Sequence, residues 1–304
     1  MTIKAIIVTY NPAQWLDKCL GSLNKSNVKL DVIVIDNGST DGSIEIIKND
    51  YPNVRLIINS ENKGFGAANN QGLSIALNER ADYAFLLNQD AWIEPNTIEK
   101  LIEVSQNNKG FGVLSPIHLN GKGDALDQNF SNYAGQENSS YFSDLAINKK
   151  PKHIYEVPFI NAAAWLVTKE CLHNIGGFNP SFFHYGEDSN YCERVKYHKL
   201  KIGFVPSALI YHDREERLSN PYFDNFKKNY SKTLVLLASA PADKNSKSVF
   251  IIIIKDIIKQ LLKLNFKHAT SIILLAIKID FHEIKKNKKR SQSKQANFIN
   301  YLNS

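Results

Sequence analysis

The chain has 304 residues, 43% of them hydrophobic and 22% charged, so it can bury a large core and is not a disordered protein. Its three cysteines are widely spaced without a Cys-x-x-Cys pair, which disfavours a disulfide framework and a zinc site. The net charge of +7 arises in the tail, because residues 244–304 carry +10 and the first 243 residues carry −3, a distribution that argues against a nucleic-acid-binding protein.

The sequence shows no targeting or membrane-spanning segment. Its N-terminal apolar stretch is too short for a signal peptide, and no apolar run reaches the roughly 18 residues of a membrane span. Together with the unpaired cysteines, this predicts a protein of the reducing cytoplasm.

Short apolar segments alternate with amphipathic ones as far as residue 90. In chain order the sequence predicts a strand at 4–8, a helix at 13–23, a strand at 32–35, a helix at 43–48, a strand at 54–58, a helix at 64–77 and a strand at 83–87. Because these strands are apolar on both faces, the alternation indicates an α/β protein with a mainly parallel sheet flanked by helices.

The remainder of the chain is less regular. Residues 121–150 are polar and weakly patterned, which predicts a long surface loop with little regular structure. Ordered segments are expected again at 157–167, 182–195 and 202–213, and Trp165 is expected to pack in the core and not to stack on a sugar. From about residue 221 the tail predicts two apolar helical stretches, at 250–264 and 271–279, followed by a basic run at 285–290.

Polar clusters follow three of the predicted strands. They are Thr9-Tyr10-Asn11, Asp36-Asn37-Gly38-Ser39 and Asn88-Gln89-Asp90, and a fourth cluster, residues 62–66, precedes a helix. Ligands of such sheets bind beyond the carboxyl ends of the strands. The four clusters therefore predict one shared site.

The chemistry of these clusters suits a nucleotide diphosphate sugar. Asp90 offers a hard oxygen ligand for Mg²⁺ or Mn²⁺, and Asp36 can accept hydrogen bonds from a base or ribose. Lys63 and the amides after Gly64 can face phosphates at a helix N-terminus. The pair Glu187-Asp188 supplies a carboxylate that could deprotonate an acceptor hydroxyl.

Five motifs in this order and spacing resemble the family 2 glycosyltransferases. They are VTYN, VIVIDNGSTDGS, ENKGFGAANNQG, LLNQD and FFHYGEDSNYCERV, and the resemblance covers about residues 3–215. It looks closest to bacterial enzymes of O-antigen and other surface polysaccharides, including rhamnosyl-, galactofuranosyl- and glucosyltransferases. It implies a GT-A fold and transfer with inversion at the anomeric carbon.

The resemblance also implies roles for individual residues. Asp90 would hold the metal, His212 would be a further metal ligand, and Asp188 would be the general base, with Glu187 beside it. Asn88 stands where the family's DxD element usually has its first carboxylate, which makes the metal site less acidic and His212 more necessary. The expected nucleotide-sugar-binding residues are Thr9, Tyr10, Asn11, Asp36, Asn37, Lys63, Gly64, Asn88 and Gln89.

These expectations divide the chain into two parts. Residues 1–220 would form the GT-A catalytic domain, with a nucleotide-binding half at 1–115 and an acceptor half at 116–220, and residues 221–304 a helical, basic, amphipathic extension. That extension could bind the inner face of the cytoplasmic membrane, where the resemblance suggests a polyprenyl-diphosphate-linked saccharide acceptor. Alternatively, it packs on the catalytic domain or on another subunit, so an oligomer is possible.

Other functions compete with this interpretation. A non-catalytic nucleotide-sugar- or polysaccharide-binding subunit would share the fold, but the intact Asp90 and Asp188 speak against it. A nucleotidyltransferase would need a Gly-rich basic loop at the N-terminus, which residues 9–12 do not supply. A nicotinamide enzyme is disfavoured because the segment from Gly64 to Asn69 lacks the third glycine of the fingerprint and follows the third strand.

Overall fold

The computed structural model describes residues 1–214, 225–242 and 247–299. The predicted domain boundary at residues 220 and 221 lies outside these ranges. Nine strands form one sheet in the order β3-β2-β1-β4-β8-β6-β9-β5, with β7 also paired to β9. The strands are β1 (Ile3–Thr9), β2 (Asp31–Asp36), β3 (Arg55–Ile58), β4 (Tyr83–Asn88), β5 (Ala91–Ile93), β6 (Phe111–Asn120), β7 (Tyr155–Glu156), β8 (Ala164–Thr168) and β9 (Lys201–His212).

The two halves of the sheet differ in strand direction. Strands β3, β2, β1 and β4 are parallel, as their apolar sequences predict. In the second half β8 runs antiparallel to both β4 and β6, while β9 is parallel to β6 and antiparallel to β5 and β7. The parallel half therefore brings the ends of β1, β2 and β4 to one edge of the sheet.

Helices cover both faces of the sheet. In the first 214 residues they are α1 (Leu16–Asn24), α2 (Ser43–Asp50), α3 (Phe65–Asn78), α4 (Thr97–Asn107), α5 (Gln128–Tyr133), α6 (Tyr141–Ala146), α7 (Lys169–Ile175) and α8 (Glu187–Tyr197). Neighbouring residues of β1 point to opposite faces, so Ile6 packs with Leu73 of α3 whereas Ile7 packs with Leu20 of α1. This arrangement confirms the α/β sheet flanked by helices.

The prediction of a long surface loop with little regular structure at 121–150 is wrong. Residues 128–133 and 141–146 form α5 and α6, and Phe130 and Tyr141 are buried in the main core. Phe130 packs edge-on against Phe204 of β9, and Asp127 caps α5 by accepting hydrogen bonds from the amides of Asn129 and Phe130. Helices of six residues are too short to show an apolar period in sequence, which explains the error.

The C-terminal part is helical, as predicted. It contains α9 (Phe226–Ser239), α10 (Lys247–Leu262), α11 (Phe266–Lys278) and α12 (Phe281–Ser291). Within the residues that the structure describes, none of the helices has the length and apolar character needed to cross a bilayer. The helices share a small core with Phe182 of the catalytic region, whose partners there include Leu234, Ile253, Ile272 and Ile284.

The end of the described chain returns to the catalytic region. The amide of Gly177 donates a hydrogen bond to the carbonyl of Asn297 over 2.8 Å, and Ile299 is buried in the main core. The buried guanidinium of Arg194 lies 4.8 Å from the ring centroid of Phe298. The helical extension is therefore fastened to the catalytic region at its far end.

Trp165 is fully buried, as the sequence analysis expects, and its ring packs against those of Phe178 and Tyr191. Replacing it with alanine should lower the free energy of unfolding by about 3–5 kcal/mol, because the cavity cannot close around a missing indole. Denaturant unfolding measures this loss. Trp165→Phe should lose less, since it keeps an aromatic partner for both rings, and wild-type stability in Trp165→Ala would contradict the core assignment.

Candidate active site

The carboxylate of Asp36 organises the loop that follows β2. Thr9 Oγ1 donates to Asp36 Oδ2 over 2.8 Å, and the hydroxyl of Ser39 donates to the same oxygen. The amides of Gly38 and Ser39 donate to Oδ1 over 3.0 and 2.8 Å. Asp36 is completely buried, so these four donors satisfy a carboxylate that would otherwise be costly to bury. The ends of β1 and β2 are thereby joined.

Side-chain amides join the loop after β1 to the segments that follow β4 and β2. Gln89, after β4, accepts from the amide of Tyr10 over 2.7 Å and donates to its carbonyl over 3.2 Å. Asn11 has a φ of 50°, and its Oδ1 accepts from the amide of Thr40 over 2.8 Å. The side chain of Tyr10 is about half exposed. Its ring is therefore accessible at the point where three strand ends meet.

The loop before α3 is attached to this edge through Asn37. The side chain of Asn37 hydrogen-bonds the side chain of Asn62 at 3.3 Å and the carbonyl of Gly64 at 3.4 Å. Gly64 has a φ of 84°, and a Cβ at this position would lie 2.2 Å from the carbonyl oxygen of Phe183, so only glycine fits. Lys63 is exposed. The loop thus lies directly under the segment that leads to α8.

Asp90 and His212 form a second cluster. The pairing of β5 with β9 sets Ala91 opposite His212, and it places His212 Nε2 3.4 Å from Asp90 Oδ1. His212 Nδ1 lies 3.5 Å from the buried Asp127 Oδ2, which also accepts from Arg214 Nε over 2.6 Å. Asn88 lies at the end of β4, two residues before Asp90, in register with Val8.

Electrostatics in this cluster follow from burial and proximity. Burial by itself lowers the pKa of His212, but the charges of Asp90 and Asp127 outweigh it and raise the pKa above its ordinary value. Burial raises the pKa of the Asp90 and Asp127 carboxyls, but nearby positive charge outweighs it. The imidazolium of His212 acts on both and the guanidinium of Arg214 acts on Asp127, so the pKa of each carboxyl lies below its ordinary value. The cluster therefore favours two ionised carboxylates flanking the imidazole.

A divalent cation fits the pair formed by Asp90 and His212. The chain supplies one carboxylate and one imidazole there, and the Asp90 side chain keeps 19% of its surface exposed. Across 1–214, 225–242 and 247–299, no group of three or more His, Cys, Asp or Glu side chains is placed to hold a metal ion. A cation at this position would thus complete its coordination with substrate oxygens and water, as Mg²⁺ sites that bind phosphates do.

Glu187 and Asp188 begin α8, directly after Gly186 with its φ of 101°. Burial raises the pKa of both carboxyls, and the charge of Asp188 raises that of Glu187 further. Asp188 Oδ1 accepts from the amide of Ser189 over 2.7 Å, and the charge of Lys232 on α9 also lowers the pKa of Asp188. Glu187 Oε2 is buried without such a donor. Burial therefore keeps Glu187 protonated near neutral pH, whereas the Ser189 amide and the charge of Lys232 favour the ionised form of Asp188.

Tyr133 at the end of α5 connects the two acidic clusters. Burial raises the pKa of its phenol, and the charges of both Asp188 and Asp127 act on it in the same direction. Its ring packs edge-on against Phe159 with the centroids 4.9 Å apart. Both acidic clusters therefore lie close enough to Tyr133 to act on it electrostatically.

Residues 4–166 match the protein family described as glycosyl transferase family 2, which is more than half of the chain. The chain belongs to this family. The expected resemblance is thereby confirmed, and its motifs lie where the structure brings the strand ends together.

Relatives of this family 2 protein include two with assigned names. It is 25% identical over 263 residues to N-acetylglucosaminyl-diphospho-decaprenol L-rhamnosyltransferase of Mycobacterium tuberculosis. The aligned region covers 78% of this chain and 84% of the relative. It is 24% identical to the low-salt glycan biosynthesis hexosyltransferase Agl10 of Haloferax volcanii over 176 residues, which is 56% of this chain and 55% of the relative. Both names support a transferase.

Solved structures share the fold. Staphylococcus aureus TarS, residues 1–349 with UDP, superimposes with a TM-score of 0.56 at 17% identity. The superimposed region covers 82% of this chain and 68% of the TarS chain. GalNAc-T7 with UDP, GalNAc and Mn²⁺ gives a TM-score of 0.59 at 15% identity, over 97% of this chain and 55% of its own. The GT-A fold expected for the family 2 chain is confirmed.

Four further residues of this family 2 protein lie at the site but were not found from the sequence. They are Asp127, Tyr133, Arg214 and Lys232. A signal existed for Asp127 alone, because an aspartate followed closely by aromatic residues can be a helix N-cap. The other three reach the site only through tertiary packing.

The raised pKa of Glu187 predicts a pH-dependent effect of Glu187→Gln. Above the ordinary glutamate pKa near 4.5 the unfolded chain loses the proton that the folded chain keeps, so ionisation increasingly favours unfolding. Removing the carboxyl should therefore raise the free energy of unfolding at about pH 8 by at least about 1 kcal/mol more than at about pH 4. Denaturant unfolding at both pH values measures the difference.

Glu137→Gln is the matched control, because Glu137 is exposed on the surface. It should change the free energy of unfolding equally at the two pH values. A Glu187→Gln effect that is also equal at both would contradict the assignment of the proton to Glu187.

Proposed function

We propose that the protein is an inverting, metal-assisted hexosyltransferase that moves a sugar from a dTDP- or UDP-sugar to a lipid-linked saccharide. The observation that carries this proposal is the pairing of Asp90 with His212, whose Oδ1 and Nε2 lie 3.4 Å apart, near the adjacent carboxyls of Glu187 and Asp188. The two clusters are linked through Tyr133, because the charges of Asp188 and Asp127 both act on its phenol. A transferase needs both parts, because a diphosphate must leave while an acceptor hydroxyl loses its proton.

The nucleotide would lie across the ends of β1 and β2. Tyr10 presents a half-exposed ring on which a base can stack, and the hydroxyl of the partly buried Ser39, which donates to Asp36, can turn towards a ribose. Lys63 and the first amides of α3 would face the diphosphate, since a helix N-terminus attracts anions. The residues proposed for this role are Thr9, Tyr10, Asn11, Asp36, Asn37, Lys63, Gly64, Asn88 and Gln89.

Asp90 and His212 would hold the cation, and Asp127 would orient the imidazole from behind. A mixed oxygen and nitrogen ligand set favours Mn²⁺ over Mg²⁺, which prefers oxygen throughout. When bound, the cation would stabilise the negative charge of the departing diphosphate. Asn88 contributes no carboxylate, so the chain brings only one negative charge to this pair.

Asp188 would act as the general base. As the acceptor oxygen forms its bond to the anomeric carbon, the hydroxyl proton passes to Asp188, and the bond between that carbon and the diphosphate oxygen breaks. One such displacement inverts the anomeric configuration. Glu187, which keeps its proton, would leave Asp188 as the only ionised carboxylate of the pair.

The acceptor is inferred from the relative in Mycobacterium tuberculosis, whose name specifies a diphospho-decaprenol substrate. We propose a polyprenyl-diphosphate-linked saccharide of bacterial surface-polysaccharide biosynthesis, such as O-antigen. The protein would then work in the cytoplasm, bound peripherally to the inner face of the cytoplasmic membrane, because the lipid confines its acceptor there.

Substitutions of the two acidic groups test the chemistry. Asp188→Asn removes the base, and Asp90→Ala removes the carboxylate ligand, so each should lower transfer or donor hydrolysis by at least about a hundredfold. Release of the nucleoside diphosphate from UDP- and dTDP-sugars measures the rate. Asp50→Asn, an exposed aspartate of α2, should keep the wild-type rate.

Donor binding separates the two variants. Asp188→Asn should still bind the donor with Mn²⁺, whereas Asp90→Ala should lose the part of binding that depends on Mn²⁺. Full activity in both variants would refute the assignment. Donor binding by the wild-type protein without turnover of any acceptor would point instead to a non-catalytic binding subunit.

A thermal-shift screen of UDP-, dTDP- and GDP-sugars with Mn²⁺ identifies the donor. A ligand at about a hundred times its Kd stabilises the folded state by about 2.7 kcal/mol, which corresponds to a shift of several degrees in Tm. We expect this shift with a UDP- or dTDP-sugar and a smaller one with a GDP-sugar. A preference for GDP-sugars would overturn the proposed donor class.

A further inference from the structure

The outer face of the helical extension is unusually apolar. Helices α10 and α11 are joined by a short turn, and large hydrophobic side chains along both are exposed. They include Phe250, Ile254, Ile258, Leu261, Leu274 and Ile277. An exposed cluster of this size on a folded protein marks an interaction surface.

The pattern on α10 explains how this face arises. Phe250, Ile254, Ile258 and Leu261 follow one another at spacings of four, four and three residues, so they form one stripe of the helix. The inward side is held by Val249 and Ile253, which are buried in the core of the extension. The helix therefore uses only a minority of its apolar side chains for packing within the described chain.

Positive charge borders the apolar stripe. Lys255 and Lys259 on the neighbouring side of α10, and Lys263 directly after the helix, follow at intervals of four residues, and all three are exposed. The only acidic residue between 250 and 278 is Asp256, and it accepts a hydrogen bond from the Tyr230 hydroxyl over 2.9 Å inside the bundle. Between residues 250 and 278 the exposed face is thus apolar and cationic, and the one acidic side chain of that segment is engaged with Tyr230.

We propose that the hairpin formed by α10 and α11 inserts its apolar face into the surface of a membrane that contains anionic lipids. A helix with an apolar stripe beside a lysine stripe lies in the interface, with its apolar side among the acyl chains and its ammonium groups at the headgroups. A second copy of this chain fits less well, because pairing like faces would bring lysines against lysines.

The position of the hairpin relative to the active site suits this role. Phe182 is buried in the core of the extension and stands five residues before Glu187. A Cβ at Gly186 would lie 3.2 Å from Lys232 Cγ of α9, so the extension touches the segment that carries the base. The inference deepens the proposed function, because it names the surface that would hold the enzyme beside a lipid-linked acceptor.

The basic run at 285–290 is not the principal contact in this proposal. Asn287 and Lys288 of α12 are buried, and Asn287 Nδ2 donates to Ser181 Oγ of the catalytic region over 3.1 Å. Two of the six residues of the run are therefore taken up by packing on the protein, and the Arg290 guanidinium lies 5.0 Å from the ring centroid of Phe298. The sequence predicts a membrane contact of the apolar helix together with the basic residues of the tail, and the present proposal places that contact on the hairpin.

Vesicle co-sedimentation of the full chain, without donor or acceptor, tests the proposal. The protein should bind vesicles of phosphatidylcholine with phosphatidylglycerol more strongly than vesicles of phosphatidylcholine alone. Ile254→Gln/Ile258→Gln should weaken this binding by about tenfold or more, because two inserting side chains become polar. Leu274→Gln/Ile277→Gln should do the same from α11. Ile147→Gln, an equally exposed isoleucine in the catalytic region, should bind as the wild type does.

Charge variants separate insertion from simple adsorption. Lys255→Gln/Lys259→Gln/Lys263→Gln should lower binding to the anionic vesicles by about tenfold or more at low salt and have little effect on neutral ones. Loss of binding in this variant alone, with the isoleucine variants unchanged, would overturn the insertion of the apolar face. Absence of vesicle binding by the wild-type protein would overturn the proposal entirely.

Two readouts keep the outcomes distinct. Sedimentation velocity that shows a dimer, dissolved by Ile254→Gln/Ile258→Gln and without vesicle binding, would assign the face to a second copy and overturn the membrane proposal. Donor hydrolysis by this variant should match the wild type, since both side chains lie on the outer face of α10. Vesicle binding by a protein that turns over no donor would refute the proposed function and leave this inference standing.

Discussion

The pairing of β5 with β9 is the constraint on which the candidate site depends. It sets Ala91 opposite His212, and the amide of Asp213 also donates to the carbonyl of Asp90 over 2.8 Å. Residues more than a hundred positions apart in sequence are thus held in one register, which brings an imidazole to a carboxylate. Because β9 also pairs with β6 and β7, the histidine rests on a strand with partners on both sides, and its position is fixed by backbone hydrogen bonds.

Two adjacent carboxyls at the start of α8 show how environment assigns different roles to similar groups. Asp188 receives the amide of Ser189 and feels the charge of Lys232, whereas the second oxygen of Glu187 is buried without a donor. Burial then keeps the proton on Glu187, while the amide and the lysine favour the ionised form of Asp188. The choice of Asp188 as base, which in the sequence rests on family resemblance, thereby gains an independent physical argument.

Most of the site residues that could be predicted from residue patterns alone follow strong apolar strands. Asp36 and Asp90 are examples, since parallel strands bring their carboxyl ends to one edge. Asp127 and Tyr133 could not be predicted in the same way, because they flank a helix of six residues inside a polar segment. Lys232 reaches the site through the packing of α9 on the catalytic region, and no local pattern encodes that contact.

The extension then has a consequence for catalysis that a surface tail would not have. Its core includes Phe182, and its residue Lys232 acts electrostatically on Asp188, so the same helical bundle supports the base and presents the apolar face. A lipid-linked acceptor has its sugar confined to within a short distance of the bilayer, which limits where a base can usefully be. In the proposed arrangement, mounting both features on one packed unit would fix the distance between Asp188 and the membrane, whereas a flexible tail would leave it to vary. Rigid packing of Ile299 and Asn297 against the catalytic region serves the same end, because it anchors the bundle at its other side.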